Sequence, residues 1–167
     1  MKYENFNDLE ALDIAVNMEK EGFDFYTVLK ENAKEKKVKE LFSRLALEEK
    51  KHLELFQKAY NEINDSVSPV HGCEDYTVDA YLKHLVDTGV FSQKNEAKQL
   101  ATEIKTDREA LKIGIQAEKD AILYYSEAVK NTKNAAGKKI FDQLVAEERK
   151  HLEILSEYLK VLKEKPL

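Results

Sequence analysis

Two Glu-x-x-His motifs, Glu49-Lys50-Lys51-His52 and Glu148-Arg149-Lys150-His151, recur 99 residues apart, and each has a partner glutamate thirty residues upstream, Glu19 and Glu118. On a helix, residues i and i+3 share a face, so each motif can present a carboxylate oxygen and an imidazole nitrogen to one point. Four carboxylates buried together would repel one another and resist desolvation at about several kcal/mol each, and two divalent cations would neutralise them. The chemistry implied is a dinuclear metal site. Glu49 and Glu148 would bridge the pair, Glu19 and Glu118 would each hold one metal, and His52 and His151 would complete the ligand sets. Oxygen-rich ligation with one imidazole per metal suits iron or manganese better than a thiolate-preferring ion or tetrahedral structural zinc.

The motifs belong to a longer repeat. With a shift of 99 positions and no gap, residues 12–60 match residues 111–159 at 16 of 49 places, including Tyr26 with Tyr125, Phe42 with Phe141 and Leu45 with Leu144. That is an internal duplication. Two copies of such length are too few and too long for a solenoid, so each reads as half of one bundle.

Helical spacing in each half supplies the elements that must position the ligands. A first helix is predicted to start after Asn7, with Glu10 as capping-box partner, and to carry Leu9, Leu12, Val16, Glu19, Phe23 and Tyr26 on one face. A polar link near residues 32–37 leads to a second helix with Leu41, Leu45, Glu49, His52 and Phe56 in one stripe, ending near Ile63. Thr106-Asp107-Arg108-Glu109 repeats the capping pattern and opens a third helix bearing Leu111, Ile115, Glu118, Ile122 and Tyr125. Past a polar loop at residues 131–134, the fourth helix starts near Gly137, carries Phe141, Leu144, Glu148, His151 and Leu155, and ends near Lys163. Short links make each pair an antiparallel hairpin.

Residues 64–105 form the connection. Asp65-Ser66-Val67-Ser68-Pro69 should break the second helix, Thr77 can cap a short helix through Leu85 that stops at Gly89, and Ser92 can start another through Ile104. The expected architecture is all-α: a ferritin-like four-helix bundle made of two duplicated hairpins, about 8–63 and 106–164, joined by a long, partly helical crossover within a single domain spanning 1–167.

Composition agrees. Charged residues make up 35% of the chain against only 5 Gly and 2 Pro, which favours long amphipathic helices over sheet. The net charge of −5, with lysines interleaved among glutamates, argues against nucleic acid as a partner. The single Cys73 excludes an intrachain disulfide, and no apolar run approaches the roughly 18 residues of a membrane span or a signal peptide's core. A soluble, cytoplasmic protein is expected.

Around the six candidate ligands, Tyr26 and Tyr125 lie two turns beyond Glu19 and Glu118, where a phenol can bond a metal-bound carboxylate or simply pack in the core. Gly22 and Ala121, one turn beyond the same glutamates, leave room for peroxide or dioxygen, or allow close helix packing. Glu48 and Glu147 point about 100° from the ligand face and read as solvated or as outer partners of the ligands. His71 and His84 read as surface histidines, and His71-Gly72-Cys73 is too short a cluster to assign.

The paired Glu…Glu-x-x-His pattern, over residues 9–63 and 106–160, resembles the rubrerythrin family of ferritin-like di-iron proteins. The resemblance implies that Glu19, Glu49, His52, Glu118, Glu148 and His151 are iron ligands and that two iron ions reduce hydrogen peroxide before a donor re-reduces them. Two departures stand out. Rubrerythrins proper carry a four-cysteine rubredoxin-like module, whereas this sequence has only Cys73, so electrons would come from an external donor protein. Ala121 stands where that family has an additional carboxylate ligand, so the family's redox-linked exchange of iron between ligands is not expected.

Other functions fit parts of the pattern: iron oxidation and storage as in bacterioferritin-like shells, a di-metal oxygenase acting on an organic substrate, or a metal-free structural bundle. The helical crossover argues against a shell, and a homodimer stays open.

Overall fold

The computed structural model describes residues 7–66, 80–91 and 96–164. Six helices follow one another: α1 (Asp8–Asn32), α2 (Lys36–Ser66), α3 (Ala80–Asp87), α4 (Glu96–Glu103), α5 (Asp107–Asn131) and α6 (Ala135–Glu164), with no strand among the described residues. α1 pairs with α2 and α5 with α6, and the two hairpins face each other through α2 against α6 and α1 against α5. The protein is an all-α, ferritin-like bundle of two duplicated hairpins joined by a crossover.

The helix starts are set where the capping residues fall. Asn7 Oδ1 accepts from the backbone N–H of Leu9 and Glu10, and Thr106 Oγ1 accepts from that of Glu109. Glu109 then reaches back to accept the N–H of Lys105, one residue outside the cap. Each of α1 and α5 also begins with an aspartate that does a second task. Asp8 accepts the N–H groups of Lys133 and Asn134 just before α6, and Asp107 accepts those of Lys34 and Glu35 just before α2. These positions are related by the 99-residue shift, so each hairpin caps the second helix of the other.

The core obeys the same exchange. Leu12, Phe56, Tyr125, Phe141 and Leu144 lie in one buried cluster, while their repeat partners Leu111, Leu155, Tyr26, Phe42 and Leu45 lie in a second. Burial of each such side chain contributes about 1.5–3 kcal/mol. The duplication thus appears in three dimensions as an approximate two-fold, with the Glu-x-x-His motifs between two equivalent apolar clusters.

The crossover is tied to both halves by another equivalent pair of acids. Buried Glu21 on α1 accepts the N–H of Ala97 at the start of α4, and Asp120 on α5 accepts that of Val90 after α3. α4 packs on α1 and α3 on α5. Gly89 follows α3 as expected, its N–H bonding Val86 O. The second helix runs to Ser66 rather than ending near Ile63, because polar residues such as Asp65 do not stop a helix already propagated by packing. The last crossover helix is described over Glu96–Glu103, and the proposed start at Ser92, the cap at Thr77, Pro69 and the His71-Gly72-Cys73 cluster lie outside the described residues. His84 is exposed, as expected. No described helix is long and apolar enough to cross a membrane.

Candidate metal centre

Each of the four long helices delivers its acidic or imidazole side chains to one place midway along the bundle. Glu19 comes from α1, Glu49 and His52 from α2, Glu118 from α5, and Glu148 and His151 from α6. All six are buried, none more than 4% exposed. Two overlapping sets have their candidate ligand atoms within 4.8 Å of one another: Glu19, Glu49, His52 and Glu148, and Glu49, Glu118, Glu148 and His151. Glu49 and Glu148 are common to both. The structure therefore brings together all six residues singled out by the sequence and shares the same two carboxylates between the sets.

The decisive feature is what these atoms lack. Glu19 Oε2, Glu49 Oε1, both oxygens of Glu148, His52 Nδ1 and His151 Nδ1 are buried with no hydrogen bond. Buried polar atoms are almost always paired, so a group of orphans facing one another points to a ligand. Within the group, His52 Nδ1 is 3.0 Å from Glu148 Oε1 and 3.4 Å from Glu19 Oε2, while His151 Nδ1 is 2.7 Å from Glu148 Oε2 and 3.3 Å from Glu49 Oε1. The imidazoles stack with centroids 5.5 Å apart. Lone-pair donors so concentrated fit a cation set of hard oxygen ligands with one nitrogen each.

The histidines are oriented by residues whose role the sequence left open. His52 Nε2 lies 2.8 Å from Glu147 Oε2, and His151 Nε2 lies 2.9 Å from Glu48 Oε2. Each glutamate precedes the candidate ligand of its own helix but holds the imidazole of the opposite hairpin. Because a carboxylate only accepts, each Nε2 donates, which leaves Nδ1, facing the cluster, as the nitrogen that would offer its lone pair once a cation displaces its proton. The signal was present as the repeated Glu48/Glu147 pair, but a helical wheel within one hairpin cannot show that the outward face meets the other hairpin.

The tyrosines act across the bundle in the same way. Tyr26 Oη donates to Glu118 Oε1 and Tyr125 Oη to Glu19 Oε1, each at 2.5 Å. One oxygen of each glutamate is thereby fixed and the other is left toward the cluster. Burial, and then the adjacent glutamates, push both phenols well above their ordinary range, so they remain donors. Gly22 sits where an added Cβ would come 3.3 Å from Glu49 Oε2, so the missing side chain gives that carboxylate its place.

The buried carboxylates and imidazoles shift one another's basicity. Burial alone would lower the basicity of His52, but Glu148, Glu19 and Glu49 raise it far above the usual imidazole range, and His151 is raised likewise against its burial by Glu118, Glu148 and Glu49. Burial and then Glu49 push Glu118 up to about 8, and burial with Glu49 and Glu148 raises Glu19. Glu49 resists burial's upward push and is held low by the two imidazoles.

A cavity of about 30 Å³ adjoins the carboxylates, lined by Glu19, Glu49 and Glu118 on one side and by Gly22, Ala121 and Phe91 among others. It has room for about two water-sized probes.

The rubrerythrin family model matches residues 10–159. The chain belongs to the rubrerythrin family. A solved structure described as a hypothetical protein from Pyrococcus furiosus is similar over 96% of this chain and 93% of that one, with a TM-score of 0.65 and 22% identity, a likeness that concerns the fold. No curated protein matches. Family membership and the buried carboxylate and histidine cluster together point to a metal site, and Ala121 lies beside its cavity.

Proposed function

We propose that the protein holds two iron ions and reduces hydrogen peroxide to water with electrons delivered by an external donor protein. The observation that carries this reading is the pair of overlapping candidate ligand sets, whose orphaned oxygens and Nδ1 atoms face one another beside a cavity with room for a reactant of two bonded oxygens. Glu49 and Glu148 would bridge, Glu19 with His52 would hold one ion, and Glu118 with His151 the other. Manganese could occupy the same hard donor set.

Reduction of one peroxide molecule to two waters consumes two electrons and two protons, and a ferrous pair supplies one electron per ion. The chain's own residues do the rest. Tyr26 and Tyr125 keep Glu118 and Glu19 oriented, Glu48 and Glu147 keep the imidazole Nδ1 atoms directed inward, and the surrounding apolar clusters exclude water. The single cysteine of the sequence provides no four-cysteine iron site, which is the reason for assigning re-reduction to another protein.

Anaerobic loading with ferrous iron followed by titration with peroxide tests the reading. One peroxide should oxidise two irons per chain without release of hydroxyl radical. Oxidation no faster than that of free ferrous ion, or radical release in proportion to iron, would overturn it, and preferential reaction with dioxygen would redirect it to that oxidant.

A further inference from the structure

Beside the carboxylates, the 30 Å³ cavity does not end in a featureless wall. A second hollow of about 30 Å³ lies against it, and Met18, Ala117 and Phe91 line both. The inner chamber touches Glu19, Glu118 and the two tyrosines, all buried, whereas the outer one reaches Leu85, Val86 and Asp120. The shared residues are half-buried. The two hollows are thus consecutive chambers leading from the α1–α5 groove, beneath the end of α3, toward the carboxylates.

Phe91 is the largest of the three shared residues and it is held in place from two sides. Its ring meets Phe25 edge-on, with centroids 5.2 Å apart, and Phe25 in turn meets Tyr26 at 5.5 Å. The preceding residue is fixed by the bond from Val90 N–H to Asp120 Oδ2 at 2.8 Å, while Asp120 Oδ1 takes the side chain of Gln116 at 2.8 Å. Gly89 completes the approach: a Cβ there would lie 3.3 Å from Asp120 Oδ2. The phenyl group is therefore a fixed partition rather than a side chain drifting at the surface.

We infer that Phe91 sets the size limit of the oxidant, admitting hydrogen peroxide and excluding alkyl hydroperoxides. This rests on the proposed peroxide chemistry and adds to it a specificity-determining residue that no ligand motif contains. An inner chamber with room for about two water-sized probes accommodates two bonded oxygen atoms, and a tertiary alkyl group needs the space that the phenyl fills. The chamber walls at Met18, Ala117 and Phe91 are apolar, so removing the phenyl joins two apolar hollows without stranding a polar group.

Two readouts test this in wild type, Phe91→Ala and Ala117→Leu. The first uses metal-free protein and xenon, followed by 129Xe NMR, which reports apolar space independently of any reaction. Phe91→Ala should bind xenon at least several-fold more tightly than wild type, and Ala117→Leu, which fills the chamber from a half-exposed helical position, should bind it less. The second compares single-turnover oxidation of the ferrous-loaded proteins by hydrogen peroxide and by tert-butyl hydroperoxide. The rate ratio favouring hydrogen peroxide should fall at least tenfold in Phe91→Ala, mainly through gain with the bulky oxidant, and Ala117→Leu should slow both oxidants.

An unchanged ratio in a Phe91→Ala protein that binds more xenon would overturn the assignment, as would xenon binding indifferent to both substitutions. If neither oxidant reacts with loaded wild type while xenon binding still separates the variants, the peroxide reading itself has failed and the filter role falls with it, although the partition is present. Should Phe91→Ala fail to fold, Ala117→Leu decides alone, and wild-type rates with both oxidants would then contradict the route.

Discussion

Substituting Glu147 by alanine should weaken metal binding at the His52 side of the centre while leaving the ligands themselves intact. In the folded protein Glu147 Oε2 lies 2.8 Å from His52 Nε2, and the carboxylate is 33% exposed. A hydrogen bond to a charged group contributes about 1.5–3 kcal/mol, and partial access of water reduces this to about 1–2 kcal/mol, or roughly 5–30-fold in affinity. Partial burial pushes the Glu147 carboxyl up, but Gln143 and His52 hold it below the ordinary range, so it is charged and accepting at neutral pH. Competition against a chelator, with stepwise ferrous or manganous loading, would measure the loss. Glu48→Ala should produce the equivalent loss at the His151 side, where the contact is 2.9 Å and Glu48 is 28% exposed. Glu147→Gln, which can still accept through its amide oxygen, should fall between wild type and alanine. An affinity within twofold of wild type for both alanine variants would refute the argument that these cross-hairpin contacts orient the imidazoles.

Three further outcomes are expected. Tyr26→Phe and Tyr125→Phe each strand a buried glutamate oxygen and should destabilise the metal-free protein by about 1–3 kcal/mol in urea unfolding, and unchanged midpoints would contradict the bonds to Glu118 and Glu19. Metal-free protein should lose stability between pH 5 and pH 8, since Glu118, with a folded pKa of about 8, retains a proton that the unfolded chain releases above its ordinary value of 4.5, and the raised histidines act in the same direction. Metal-loaded protein should lack this decline because cations replace the protons, and a falling urea midpoint with bound metal would count against it. Metal at a hundred times its dissociation constant should add about 2.7 kcal/mol to stability for each ion bound, hence about 5 kcal/mol for two, readable as a rise in melting temperature, while an unchanged melting temperature would indicate a bundle indifferent to metal.

The sequence singled out the six candidate ligands because the duplication removed ambiguity. A lone glutamate on an amphipathic helix is weak evidence, but Glu19, Glu49 and His52 repeating in register as Glu118, Glu148 and His151 pointed to a common centre. Asn7 and Thr106 likewise announced two helix starts through local chemistry that operates within a turn. Contacts between hairpins were harder to foresee. Asp107 stood only inside a capping pattern, Glu48 and Glu147 read as residues off the ligand face, and Asp8, Glu21 and Asp120 drew no notice, yet each closes a bond to another element. Helical periodicity tells which way a side chain points from its own axis and says nothing of what a second hairpin places there. The chambers behind Phe91 were hidden for the same reason, being made by α1, α5 and the crossover together.

Metal content per chain tests the central claim most directly. Elemental analysis after anaerobic reconstitution with ferrous iron, on wild type and on the Glu49→Ala/Glu148→Ala double variant, removes the two carboxylates shared by both ligand sets. About two ions per wild-type chain, lost in the double variant, is the result expected of a dinuclear centre bridged by those residues. Substoichiometric metal in wild type, or retention of two ions in the variant, would contradict it.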